Sequence, residues 1–177
     1  TFQITPKTPE KDTDYKIALP VDSTYDGKPR EAVVEKKPGV GTVTVYYNGS
    51  TALPVHAGTY NVAVEIASSE NFSAVERMNI GSFTINKRAI FLDTTALKVA
   101  DKTYNGRDND AQISGLAFSN LPEGAALSEG TDYILTAQYA SAEAGERDVT
   151  VTVTLTNKNY TLKDGNCIVK GKILPKA

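Results

Sequence analysis

The chain has 177 residues, and its 19 basic and 21 acidic side chains leave a formal net charge of -2. That balance argues against a nucleic-acid binder, which needs a concentrated basic surface, and no apolar run approaches the ~20 residues that span a bilayer. One Cys excludes an internal disulfide, and one His excludes a histidine-rich metal site.

Charge is even along the chain. Residues 1–87 carry 9 basic and 10 acidic side chains, and residues 88–177 carry 10 and 11. Neither half is a charged tail. The chain begins at Thr1, with no Met and no apolar signal segment, and it reads as an excerpt from a longer protein.

Taken in chain order, one segment occurs three times. Phe2-Gln3-Ile4-Thr5-Pro6-Lys7 is followed by Phe83-Thr84-Ile85-Asn86-Lys87-Arg88 and then by Lys172-Ile173-Leu174-Pro175-Lys176. Ile4 and Ile85 lie 81 residues apart, and Ile85 and Ile173 lie 88 apart. Between these markers the landmarks keep their order. Thr24-Tyr25-Asp26-Gly27 returns as Thr103-Tyr104-Asn105-Gly106, Ala57-Gly58 as Ala144-Gly145, and Asn71-Phe72 as Asn159-Tyr160. Repetition at a fixed period marks tandem units, here residues 1–87 and 88–177. The later landmarks are offset further than the first, which places an insertion in the second unit at Gly115–Gly130, read as a surface loop.

The periodicity is that of strands. Thr42–Tyr47, Tyr60–Ile66, Tyr133–Tyr139 and Val149–Thr156 alternate apolar and polar or hydroxylated residues. Such alternation gives each strand one apolar and one polar face. Ser68–Met78 alone leaves room for a turn of helix. Each unit thus holds six or seven short strands between Gly, Pro, Asn and Asp turns. An apolar sheet face must be covered, and two facing sheets cover each other. The expected fold is all-β: two tandem Ig-like β-sandwich domains arranged end to end. The junction from Phe83 to Leu92 contains no Gly, Ser or Pro, unlike a flexible linker, and predicts a semi-rigid rod.

These landmarks resemble the bacterial tandem repeats named YDG and MBG ("mostly β, Ig-like"). The first unit is similar to MBG through Tyr25-Asp26-Gly27, Tyr46-Tyr47-Asn48-Gly49, Ala57-Gly58-Thr59-Tyr60 and Ser82-Phe83-Thr84-Ile85. The second is similar to YDG through Lys102-Thr103-Tyr104-Asn105-Gly106 and Asn159-Tyr160-Thr161-Leu162, with Asn105 where the family has Asp. The resemblance implies a bacterial secreted or cell-surface protein in which such units are stalks or adhesive modules. It implies no enzyme activity, and neighbouring repeat domains of the same chain as partners.

Candidate chemistry is sparse. Tyr25, Asp26 and Gly27, with Tyr104, Asn105 and Gly106, read either as turns or as ligand-contacting loops. Their recurrence once per unit favours turns, because Asp and Asn bond nearby backbone and Gly supplies positive φ. Asp108, Asp110 and Asp132 are calcium candidates on oxygen chemistry, without the spacing of an EF-hand loop. Tyr46, Tyr47 and Tyr139 are candidate platforms for a glycan. Tyr46 and Tyr47 are adjacent, so they face opposite sides of a strand. The insertion Gly115–Gly130 is the candidate loop for a glycan or protein ligand. His56 lacks a Gly-x-Ser-x-Gly partner and reads as a loop residue. Cys167, on an alternating strand, reads as a small buried residue. No cofactor motif and no catalytic constellation occur. Two functions remain in view: a non-catalytic spacer, and an adhesin-type binding module.

Overall fold

A computed structural model describes residues 5–177. Phe2, Gln3 and Ile4 of the first repeated segment lie outside the described residues. The chain divides into two compact units, Thr1–Asn86 and Lys87–Ala177, and every regular element described is a strand.

Unit 1 contains β1 (Tyr15–Ala18), β2 (Ser23–Thr24), β3 (Val33–Lys36), β4 (Val43–Tyr47), β5 (Gly58–Ile66) and β6 (Val75–Asn86). β1 and β3 form a small antiparallel sheet, and β2-β6-β5-β4 form a second. The alternation read from the sequence puts Val62, Val64 and Ile66 of β5 on one face, all 0% exposed. From β6, Phe83 and Ile85 join Val62, Tyr47 and Ala32 in one buried cluster, against which Ile17 of the other sheet packs. Two sheets sharing apolar faces in this way make a sandwich. Phe83 stacks on Tyr60 at 5.6 Å between centroids and meets Tyr47 edge-on at 6.2 Å, geometries that suit the ring quadrupoles. Ser68–Met78 holds no helix. Its end, from Val75, opens β6, because Val75 pairs with Ile66 and closes the core.

Unit 2 contains β7 (Arg88–Asp93), β8 (Lys98–Val99), β9 (Lys102–Thr103), β10 (Ile113–Ser114), β11 (Ala117–Ser119), β12 (Tyr133–Tyr139), β13 (Gly145–Leu155), β14 (Tyr160–Lys163) and β15 (Asn166–Leu174). β12-β13-β15-β9 repeats the large sheet of unit 1, and β8-β10 repeats its small one. Val149, Val151, Tyr139 and Ile173 form the core with Ala111. The correspondence reaches single pairs. β2 runs parallel to β6 with Ser23 opposite Ile85, and β9 runs parallel to β15 with Lys102 opposite Ile173.

The insertion is more than a loop. It supplies β11, which pairs antiparallel with β7 through Ala117–Asp93 and Ser119–Phe91. Phe118 packs edge-on against Tyr133 at 4.9 Å. Asn120, at φ 64°, turns the chain and donates its amide to the Ala89 carbonyl at 2.8 Å. One aromatic side chain and one amide thus fix the insertion to the edge of the sheet.

A turn that precedes β1 recurs before β12. Asp14 accepts the Glu10 N–H at 3.1 Å, and Asp132 accepts the Ser128 N–H at 2.9 Å. Backbone bonds match too: Asp12 N–H to the Tyr15 carbonyl at 2.7 Å, and Gly130 N–H to the Tyr133 carbonyl at 2.8 Å. Each turn delivers a buried Tyr at a strand start. Asp14 is itself buried, and Lys7 and Lys37 reach its carboxylate at 2.8 and 3.6 Å. The Lys7 contact and then the Glu10 N–H hold the Asp14 carboxyl below its ordinary value of 3.8. A carboxyl depressed on folding stabilises above its unfolded value and loses that contribution as pH falls through the folded one. Thermal unfolding of unit 1 should therefore drop steadily below pH 3.8, and Asp14→Asn should flatten that decline while lowering stability at neutral pH. An equally steep acid decline in the variant would refute the assignment.

Candidate functional site

The paired turn motifs occupy equivalent places. Tyr25 follows β2, and its N–H donates to the Asn86 carbonyl at 2.8 Å; Tyr104 follows β9, and its N–H donates to the Leu174 carbonyl at 2.8 Å. Both rings pack against the core clusters of their own units. Asp26 Oδ1 accepts the Lys28 N–H at 2.9 Å and pairs with the Arg30 guanidinium at 3.0 Å. Asn105 Oδ1 accepts the Arg107 N–H at 3.0 Å, and its amide donates to Asp108 Oδ2 at 2.8 Å. Gly27 and Gly106 follow at φ 77° and 68°, the left-handed region in which a Cβ is strained. The Asp26 carboxylate and the Asn105 amide are thus engaged by their own loops. Arg30 holds the Asp26 carboxyl below its ordinary range, with the Lys28 N–H as second cause.

The calcium candidates do not come together. Lys102 donates to the Asp108 carboxylate and to the carbonyls of Asp108 and Asp110 at 3.0 and 3.1 Å. The ammonium and then the Asn105 amide hold the Asp108 carboxyl below its ordinary value, so a lysine occupies the cation position of this loop. Asp132 is spent elsewhere, on the Ser128 N–H and on the Asn157 amide at 2.7 Å. Among the described residues no group of three His, Cys, Asp or Glu is placed to hold a metal. The fold thus keeps Asp108 and Asp110 around Lys102 and gives Asp132 other partners.

The tyrosine platform is also corrected. Tyr47 is 4% exposed and Tyr139 is 1% exposed, because both point into the sandwich. Tyr47 Oη accepts the Ala32 N–H at 2.7 Å. Tyr139 Oη reaches the Ala100 and Lys172 carbonyls, each at 3.3 Å. Burial raises both phenols, so both stay neutral. Tyr46 is the member left on the outer face. Arg77 lies 3.5 Å over its ring, and its hydroxyl donates to Glu65 at 3.3 Å. The ring face that a sugar would stack on is thus covered by a guanidinium, a cation–π contact.

His56 stands in the loop before β5, and its carbonyl accepts the Tyr60 hydroxyl at 2.8 Å. Cys167 is half-buried on β15, and burial raises its thiol, which keeps it protonated and unreactive at neutral pH. A cleft of about 630 Å³ opens in unit 1, walled by Ala32, Val33, Val43, Val45 and Leu53. Sequence reasoning missed it, because it arises where the two sheets part and not from any motif.

Comparison with known families fits this frame. Residues 19–89 match the MBG domain model, and residues 86–167 match the YDG domain model. The chain pairs an MBG domain with a YDG domain. No curated protein matches the sequence. Among solved structures, the fibronectin(III)-like modules of Clostridium thermocellum CbhA align at 14% identity over 91% of this chain and 94% of theirs, with a TM-score of 0.29. The MBG landmark Tyr46-Tyr47-Asn48-Gly49 is the end of β4 and its turn. There Asn48 and Gly49 take φ of 49° and 85°, and Asn48 Oδ1 accepts the Asn61 N–H at 2.9 Å. The YDG landmark Asn159-Tyr160 starts β14, which runs parallel to β7 with Tyr160 opposite Arg88. Both domains therefore spend their landmark residues on turns and sheet closure.

Proposed function

We propose that the MBG–YDG pair is a non-catalytic spacer within a bacterial secreted or cell-surface protein, with neighbouring repeat domains as its partners. The observation that supports this most is the engagement of the landmark side chains by their own scaffold. Tyr25, Asp26, Tyr104 and Asn105 each bond or pack within their own unit. A second support is the junction: β6 ends at Asn86 and β7 starts at Arg88, leaving Lys87 alone between strands. One residue offers two backbone torsions, far fewer than a flexible linker. Neither a cofactor nor an enzymatic step is part of this reading.

The alternative is an adhesin-type module that binds a glycan or protein. Tyr46 on the outer face, whose ring Arg77 would have to leave, and the apolar cleft beside β4, are the features it would use. A glycan array and a pull-down with the whole chain separate the two. The spacer reading expects no signal above that of Tyr46→Ala. A selective signal that Tyr46→Ala abolishes would establish the binding module instead.

A further inference from the structure

β4 is an edge strand of the large MBG sheet. Its inner side is paired with β5. The Thr42 carbonyl accepts the Ala67 N–H at 2.9 Å, and the Asn48 N–H donates to the Asn61 carbonyl at 2.9 Å. Alternation along the strand turns the amides of Thr44 and Tyr46 towards β5, and those of Val43 and Val45 outward. The next outward residue, Tyr47, is closed by its own turn: its N–H donates to the Ser50 carbonyl at 2.7 Å, and its carbonyl accepts the Ser50 N–H at 3.0 Å. Val43 and Val45 have no neighbouring strand on that side among the described residues. They open onto the 630 Å³ cleft, beside which Val33 is 59% exposed.

The YDG domain shows what covers such an edge. Its equivalent strand, β12, receives the extended segment Asn109–Ala111 on its outer side. Tyr139 N–H donates to the Asn109 carbonyl at 2.7 Å, and Ala111 N–H donates to the Ala137 carbonyl at 2.9 Å. Asp110 bridges Gln138 antiparallel. In the MBG domain the amides of the matching residues Arg30 and Ala32 are spent elsewhere than on the β4 backbone. Arg30 N–H donates to the Pro54 carbonyl at 2.8 Å, and Ala32 N–H goes to the Tyr47 hydroxyl. The MBG edge thus lacks the antiparallel segment that its sibling has.

Proteins guard open edges with charge, proline or bulges. From Pro38 to Val64 the chain has no Asp, Glu, Lys or Arg, so β4 carries no charge of its own; the charges beside it are Glu31, in the lining of the cleft, and Lys36, whose ammonium donates to the Gly41 carbonyl at 3.0 Å before Val43. β4 is also self-complementary. In an antiparallel pair centred on Thr44, Val43 lies opposite Val45 of a second copy, and Val45 opposite its Val43. These two pairs exchange four backbone hydrogen bonds. Thr44 then faces its own counterpart, an opposition that two neutral hydroxylated residues tolerate and two like charges would not. A two-fold axis makes such an interface closed and isologous. We propose that β4 pairs with β4 of a second copy of this chain, joining two MBG sheets edge to edge.

Sedimentation equilibrium of the whole chain over a concentration series tests this. The expected result is a mass that rises from 19.0 kDa towards the dimer. Thr44→Lys should weaken association by roughly tenfold, through like charges placed opposite each other. Mixing Thr44→Lys with Thr44→Glu should restore it, and thermal unfolding should show both variants folded, the glutamate variant the less stable because Glu65 lies opposite Thr44 on β5. A wild-type chain that stays at 19.0 kDa up to millimolar concentration would overturn the proposal. So would a Thr44→Lys variant that associates like the wild type.

Discussion

Ile85→Ala should destabilise the MBG domain by about 2–5 kcal/mol, while Ile173→Ala should do the same to the YDG domain alone. Both side chains are 1% exposed. Both sit on the last strand of a unit, opposite the short strand that leads to its turn motif. Truncation removes apolar contact and leaves a cavity that a packed sandwich fills only in part. For a domain of this size each kcal/mol moves the midpoint by roughly 4–8 °C, so the affected transition should fall by some 10 °C or more. Ile85 belongs to the cluster of Tyr47, Val62 and Phe83, and Ile173 to the cluster of Tyr139, Val149 and Val151. Each cluster draws on one unit, so each substitution should move one transition in differential scanning calorimetry and leave the other in place. A single transition displaced equally by both variants would show that the domains do not have separate cores.

Gly41→Ala should cost about 3 kcal/mol, at the upper end for forcing atoms into a filled space. An ideal Cβ at this position lies 1.8 Å from the Ala67 carbonyl oxygen and 2.8 Å from its carbon. Both obstacles are backbone, and Ala67 is tied to the same place by its N–H bond to Thr42. The start of β4 must therefore separate from the end of β5, at the edge of the cluster containing Val40 and Ile66. Gly27→Ala provides the contrast. Nothing lies within 4 Å of its Cβ, and the strain is the positive φ alone, which costs about 1 kcal/mol. Urea unfolding of the two variants should show the MBG midpoint moving at least twice as far for Gly41→Ala. Equal shifts would mean that β4 tolerates displacement from β5.

Much of this fold is legible from side-chain alternation. Period alone puts Val62, Val64 and Ile66 on one face, and all three are fully buried. The landmarks also carry the family through their shared order, and the two domain models match over the same units. Three features resisted reading. The strand β11 spans three residues between Gly115 and the Asn120 turn, too few for a period to show. Its placement depends on Phe118 meeting Tyr133, a tertiary contact. The Thr13-Asp14-Tyr15 turn and its twin Thr131-Asp132-Tyr133 escaped because they do not share the domain spacing. One precedes β1 of the small sheet and the other precedes β12 of the large one. The tyrosines failed for a different reason. Alternation says that Tyr46 and Tyr47 face opposite sides, but which side is the core depends on the pairing of β4 with β5. The acidic residues misled in the opposite sense: composition grouped Asp108 with Asp132, whereas folding pairs one with Lys102 and the other with Asn157.

The spacer account depends on how much freedom Lys87 gives the two domains. Small-angle scattering of the wild-type chain should be compared with that of a variant carrying four glycines inserted after Lys87. The account predicts a narrow distribution of dimensions for the wild type and a clear broadening after insertion. A wild-type distribution already as broad as that of the glycine variant would contradict it.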